Sequence, residues 1–213
     1  MSHSSTKNPF NIIVIVAALG YFVDIYDLIL FGIVKDPSLR AIGVREEDMF
    51  SVGTHLLDMQ MIGMLIGGIV WGILGDKRGR LSTLFLTILL YSLANIANGF
   101  VQTVEQYEWM RFIAGLGLAG ELGVGITLVS EVMTKESRGI GTSIVSGIGI
   151  AGAVLGFLVA DMFDWRMAYF VGGGLGLLLL ILRISVYESG MFEKTKHEKV
   201  KRGDFFSLFT SGK

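Results

Sequence analysis

Residues 72 to 80 read Gly72-Ile73-Leu74-Gly75-Asp76-Lys77-Arg78-Gly79-Arg80, a stretch of charge and glycine set between two long apolar runs. Cations this dense cannot lie in hydrocarbon, and Gly79 allows a turn that a Cβ would hinder. The stretch predicts a tight cytoplasmic hairpin between two membrane helices, and the rest of the chain is built the same way.

The 213 residues are 52% hydrophobic with 29 glycines, and mean hydropathy is +0.61, more than one soluble core uses. With 18 Lys and Arg against 19 Asp and Glu, the net charge of -1 gives no basic field to gather nucleic acid, which is not an expected partner. Cysteine is absent, so disulfides, thiolate metal sites and thiol nucleophiles are excluded together.

A bilayer core of about 30 Å takes about 20 mainly apolar residues per helix. The chain divides into six such stretches, near 11–34, 50–74, 81–101, 107–133, 139–161 and 165–187. Membrane strands would instead need about ten alternating residues apiece. The expected fold class is an all-α membrane protein, a six-helix transmembrane bundle over 11–190, with a short cytoplasmic N-terminus at 1–10. Lys7, Lys77, Arg78, Arg80, Lys135, Arg138, Arg183 and a Lys-rich tail fall on one side, against Lys35, Arg40, Arg45, Arg111 and Arg166 on the other. That bias puts both termini on the cytoplasmic face of a cell's inner (plasma) membrane. The first apolar run has no small-residue cleavage site and continues through Asp27, so it is expected to stay as a helix.

Glycines recur at four-residue spacing in the second span (Gly63, Gly67 and Gly68, Gly72), the fourth (Gly115, Gly117) and the fifth (Gly152, Gly156). Such faces let helices approach closely in lipid, and we treat them as packing surfaces. Residues 191–213 form a basic segment followed by an apolar patch, Phe205 to Phe209, that is too short to span and suits an interfacial position.

The hairpin resembles the signature of the major facilitator superfamily: Gly72, Asp76, a basic residue at 77, Gly79 and basic Arg80, departing only at Leu81, where a second cation is common. Arg111-Phe112-Ile113-Ala114-Gly115-Leu116-Gly117 resembles the fourth-helix signature of that superfamily. Glu131 with Arg138-Gly139, Trp165-Arg166 and Glu188-Ser189 add support. Asp24-Ile25-Tyr26-Asp27-Leu28 resembles the first helix of proton-coupled branches that carry phosphate, aromatic acids and other small metabolites. The resemblance implies a fold of twelve helices in two bundles with solute held between them, of which this chain is the N-terminal half. The missing C-terminal half, or a second copy of the chain, is then an expected partner, beside a small-molecule solute and the lipid bilayer. Protons would be the coupling ion, with no other cofactor.

Asp24 lies about thirteen residues into the first span, ~20 Å along it, which puts it near mid-membrane, and Asp27 follows at i+3. Two carboxylates this close in low dielectric cannot both stay ionised, so one is expected to hold a proton that the other shares. Tyr26 joins them as a cavity residue. Glu121, about fourteen residues into the fourth span, is expected to face the central cavity, where it takes up a proton, pairs with an arginine or makes a structural hydrogen bond. The resemblance implies that Arg111 influences proton transfer or solute entry; the alternative is that it snorkels to the headgroups. His55 and Asp58 are i+3 neighbours able to form the outer end of a proton relay.

The hairpin's role is mechanical. Asp76 can pair with Arg80 or Arg138, and Glu131 completes the cluster, which in the superfamily steadies the outward-open state and breaks when the cavity opens inward. The residues expected to form this conformational gate are Gly72, Asp76, Lys77, Gly79, Arg80, Glu131 and Arg138. The expected function is proton-coupled symport of a small, anionic organic metabolite by alternating access. The alternatives are a uniporter or antiporter, and a non-transporting sensor or assembly partner built on a half-bundle. No His-Glu-x-x-His or Gly-x-Ser-x-Gly motif is present, so neither a metal site nor enzymatic activity is expected.

Overall fold

The structure is a computed structural model that describes residues 12–188, side chains at 12, 13, 80, 81, 122–128, 130–132 and 186–188 excepted. The basic tail, the Phe205 to Phe209 patch and the N-terminal segment lie outside the described residues, as do the side chains of Arg80 and Glu131. All regular structure among the described residues is helical. The six helices are α1 (Ile12–Ala41), α2 (Met49–Arg78), α3 (Arg80–Asn98), α4 (Val104–Val132), α5 (Arg138–Met162) and α6 (Trp165–Glu188).

Most helix ends fall within a few residues of the expected boundaries, because charge and glycine set both. α2 ends with Lys77 and Arg78 in its last turn, where cations favour the helix dipole, and Gly79 turns the chain at φ 97°. α4 opens with Thr103, whose hydroxyl accepts from the Gln106 N–H at 3.3 Å, and with Glu105 in the first turn. α1 differs: it continues to Ala41 through Pro37, beyond the expected end near residue 34. Tertiary contact holds that last turn, because Ser38 and Leu39 are fully buried and the Ser38 hydroxyl lies 3.1 Å from that of Tyr107.

By length and composition α1, α2, α5 and α6 each suit a membrane crossing, while α3 offers a shorter apolar stretch, Ser82–Asn98. The packing has an internal symmetry. α2 lies along α4 and α5 lies along α1, as an inverted repeat of two three-helix units requires. Glycine makes both contacts possible. A Cβ on Gly67 would stand 2.6 Å from the Leu116 carbonyl oxygen, and one on Gly156 would stand 3.0 Å from that of Tyr26. Gly68 and Gly72 face open space instead, so only one edge of the α2 stripe is a packing surface.

The core is layered along the bundle. An outer layer contains Tyr26, Leu30, Phe31, Tyr107, Trp165 and Tyr169. A middle layer contains Val23, Ile88, Tyr91, Ala114 and Leu118, and an inner one Val14, Ala18, Val129 and Val145. Polar side chains interrupt the outer two layers, and those interruptions form the site.

Candidate functional site in the bundle interior

Among the described residues, α4 buries two charged side chains, Arg111 and Glu121, about 15 Å apart along its axis at 1.5 Å per residue. Each would be costly in lipid, and each is buried against an opposite charge from another helix.

The outer cluster is centred on Arg111, which is 0% exposed. Its Nη2 donates to Asp27 Oδ2 of α1 at 2.8 Å and its Nη1 to Asp27 Oδ1 at 3.3 Å. Gln60 of α2 closes the triangle: its amide oxygen accepts from Arg111 and its amide nitrogen donates to Asp27 Oδ2 at 3.3 Å. Gln60 reaches this far because its backbone packs where a Cβ on Gly115 would stand. The guanidinium also lies 4.2 Å from the centre of the Phe31 ring, a cation–π contact. Above it, the hydroxyls of Tyr107 and Tyr169 hydrogen-bond to each other, and Tyr107 meets Ser38.

The inner cluster joins α4 to α6 and α3. Arg183 grips Glu121 bidentately, Nη2 to Oε2 at 2.6 Å and Nη1 to Oε1 at 2.8 Å, and Nη1 also donates to the Leu84 carbonyl at 3.1 Å. The Thr87 hydroxyl donates to Glu121 Oε1 at 2.7 Å. Gly20 of α1 makes room for the pair: a Cβ there would stand 2.6 Å from Arg183 Nη2 and 2.8 Å from Glu121 Oε2.

Asp24 belongs to neither cluster. It is 3% exposed, and neither carboxyl oxygen has a hydrogen-bond partner among the described residues. Its surroundings include Glu121, Arg183 and Asp27. The Tyr91 hydroxyl and the side-chain amides of Asn95 and Asn98, all buried on α3, are likewise without partners. Buried polar atoms in that state call for water or for a second arrangement of the side chains around them.

Several expectations change in consequence. Asp24 and Asp27 share no hydrogen bond, because Arg111 and Gln60 take up Asp27. Arg111 does not snorkel, since a carboxylate waits for it in the interior. Glu121 faces α3 and α6 inside the bundle instead of an open cavity. The Tyr26 hydroxyl, fully buried, donates to the Ala168 carbonyl at 2.9 Å. His55 and Asp58 are exposed on α2, lining a shallow groove with Phe50, Ser51 and Thr54, and His55 Nε2 lies 3.4 Å from Glu108 Oε1. They stand apart from the buried clusters. In the hairpin, Asp76, Lys77 and Arg78 are exposed, as is Arg138 at the start of α5. Gln60, Thr87, Tyr91 and Arg183 are the residues the sequence reading missed. Arg183 was assigned to the cytoplasmic flank, although it is the only charge in the last twenty residues of an apolar helix before Glu188.

The chain belongs to the Major Facilitator Superfamily, whose sequence profile matches residues 10–210. It is 29% identical over 198 residues to the probable 4-methylmuconolactone transporter of Cupriavidus pinatubonensis, a match covering 89% of this chain and 45% of that protein. It is 31% identical over 183 residues to the niacin transporter NiaP of Acinetobacter baylyi, covering 82% and 40%. The xylose transporter XylE from Escherichia coli, in a partially occluded inward-open conformation, shares the fold with a TM-score of 0.70 at 22% identity, covering 81% of this chain and 49% of XylE. The chain thus spans less than half the length of these relatives, and it corresponds to the N-terminal six-helix half of the fold.

Proposed function

We propose that this chain is the N-terminal half of a proton-coupled symporter that moves a small organic anion across a cell's inner membrane, both termini cytoplasmic. The observation that carries the proposal is the buried, unpartnered carboxyl of Asp24, held between two interhelical ion pairs. An ionised carboxylate without a partner is costly in the interior, and a proton removes that cost, so the group is suited to load and release one as its surroundings change. Asp27 and Glu121 take part through the arginines that hold them. A proton crossing about 100 mV supplies about 2.3 kcal/mol, roughly fifty-fold accumulation of a co-transported solute.

The names of relatives favour small carboxylated or aromatic solutes, among them a benzoate transport protein and 4-hydroxybenzoate transporters. Both Nη atoms of Arg111 are engaged with Asp27 and Gln60, so a cationic clamp for an anion is drawn mainly from the second half-bundle. The exposed apolar side chains along α2 and α5, including Leu65, Ile69, Val154 and Phe157, are suited to that half and to lipid. The hairpin and the cytoplasmic ends of α4 and α5 act as the gate.

The test is uptake of labelled benzoate or nicotinate by proteoliposomes holding the chain alone or with a complementary six-helix half. Accumulation abolished by a protonophore supports symport. Protonophore-insensitive flux points to uniport, and absence of flux in both preparations favours a non-transporting role.

A further inference from the structure

We infer that Arg183 is a shared counter-ion that exchanges between Glu121 and Asp24, so that the proton resides on whichever carboxyl the guanidinium has left. The inference rests on the symport reading above and deepens it by naming the moving part.

Three observations, one on α6 and two on α1, carry it. Arg183 is bound through both Nη atoms to Glu121, while its Nε, also buried, has no partner among the described residues. Asp24 has two buried oxygens and no donor among the described residues. Gly20 brings α1 against the ion pair, so Asp24, one turn further along the same face, has its Cβ about 6 Å from the point where Arg183 Nη2 touches α1. A long arginine side chain covers such a distance by rotating about its own torsions, with no movement of the helices.

The neighbourhood permits a two-position arginine and little else. From α1 the ionisable groups are Asp24, Tyr26 and Asp27, from α4 Glu121 and Arg111, from α6 Arg183 and from α3 Tyr91. α2 carries none between Asp58 and Asp76, and α5 none between Arg138 and Asp161. Arg111 is already committed to Asp27, which leaves one cation for two carboxyls. With Arg183 on Glu121, as described, the exchange places the proton on Asp24. Protonation of Glu121 weakens its hold, the guanidinium turns to Asp24, and Asp24 gives up its proton as it becomes the paired carboxylate. Proton number balances: one is gained at Glu121 and one lost from Asp24. Thr87, which donates to Glu121, biases the resting position toward Glu121.

The test reads protonation directly. The chain is placed in lipid nanodiscs, and the infrared stretch of the protonated carboxyl is assigned to Asp24 by its absence in Asp24→Asn. The exchange requires that band at neutral pH in the wild type and its loss in Glu121→Gln, where Arg183 is released to Asp24. A band that persists in Glu121→Gln, or that is missing from the wild type, overturns it. Thr87→Val covers the case in which Glu121→Gln does not fold. It removes one hydrogen bond that favours Arg183 on Glu121 and should weaken the Asp24 band at neutral pH; a band of unchanged intensity also overturns the exchange. These spectra do not depend on flux, so failure of proton-driven uptake with the band behaving as stated would count against symport alone.

Discussion

Arg111 and Asp27 meet across α4 and α1 with Nη2 2.8 Å from Oδ2, and neither side chain is more than 1% exposed. Gln60 and the Phe31 ring add to the attraction that offsets desolvation, while the Arg111 Nε has no partner among the described residues. Removing one partner leaves a buried charge alone, whereas removing both leaves none.

Asp27→Asn and Arg111→Leu should therefore each lower stability by about 3 to 5 kcal/mol, and the double variant should cost less than the sum. Arg111→Lys should behave as a loss, because an ammonium cannot make the two-pronged contact. Thermal unfolding of the four proteins in detergent checks this; additive losses would show that the pair is not coupled.

The glycine stripe of α2 makes a sharper comparison within one helix. A Cβ on Gly67 meets the α4 backbone at 2.6 Å, and one on Gly68 meets nothing within 4 Å. Gly67→Ala should cost about 1 to 3 kcal/mol by forcing the helices apart, while Gly68→Ala should stay within about 1 kcal/mol of wild type. Equal unfolding temperatures would place α2 and α4 further apart than described here.

That stripe was legible in the sequence as spacing, and so were six helices and their order, because hydrophobic length and flanking charge are one-dimensional signals. Which edge of the stripe packs was not legible, since Gly67 and Gly68 differ only in rotation about the helix. The buried residues Asp24, Asp27, Arg111 and Glu121 stood out because charge in a membrane span is expensive. Their partners did not, for pairing between α1 and α4 or α4 and α6 depends on helix rotation and depth. Arg183 gave one usable clue, a lone cation in an apolar run, and Gln60 gave none.

Outside the membrane, the loop joining α1 to α2 carries a pH-sensitive tie. Arg40 Nε donates to Glu46 Oε1 at 2.6 Å, and that hydrogen bond holds the Glu46 carboxyl below its ordinary value. Because the folded value is the lower one, the stabilisation is present above the unfolded value and is lost as pH falls through the folded one. Both groups are exposed, so the effect is small and screened by salt. A carboxyl titration by NMR should give Glu46 a depressed midpoint that returns to the ordinary range in Arg40→Gln.

The central claim is that the unpartnered carboxyl of Asp24 couples a proton to solute movement, and Asp24→Asn tests it without breaking an ion pair. In proteoliposomes completed by a second half-bundle, a pH jump should drive solute accumulation by the wild type. The Asn variant should keep solute counterflow, which needs only alternating access, and lose accumulation against a gradient. Accumulation that survives in Asp24→Asn at the wild-type level would contradict the account.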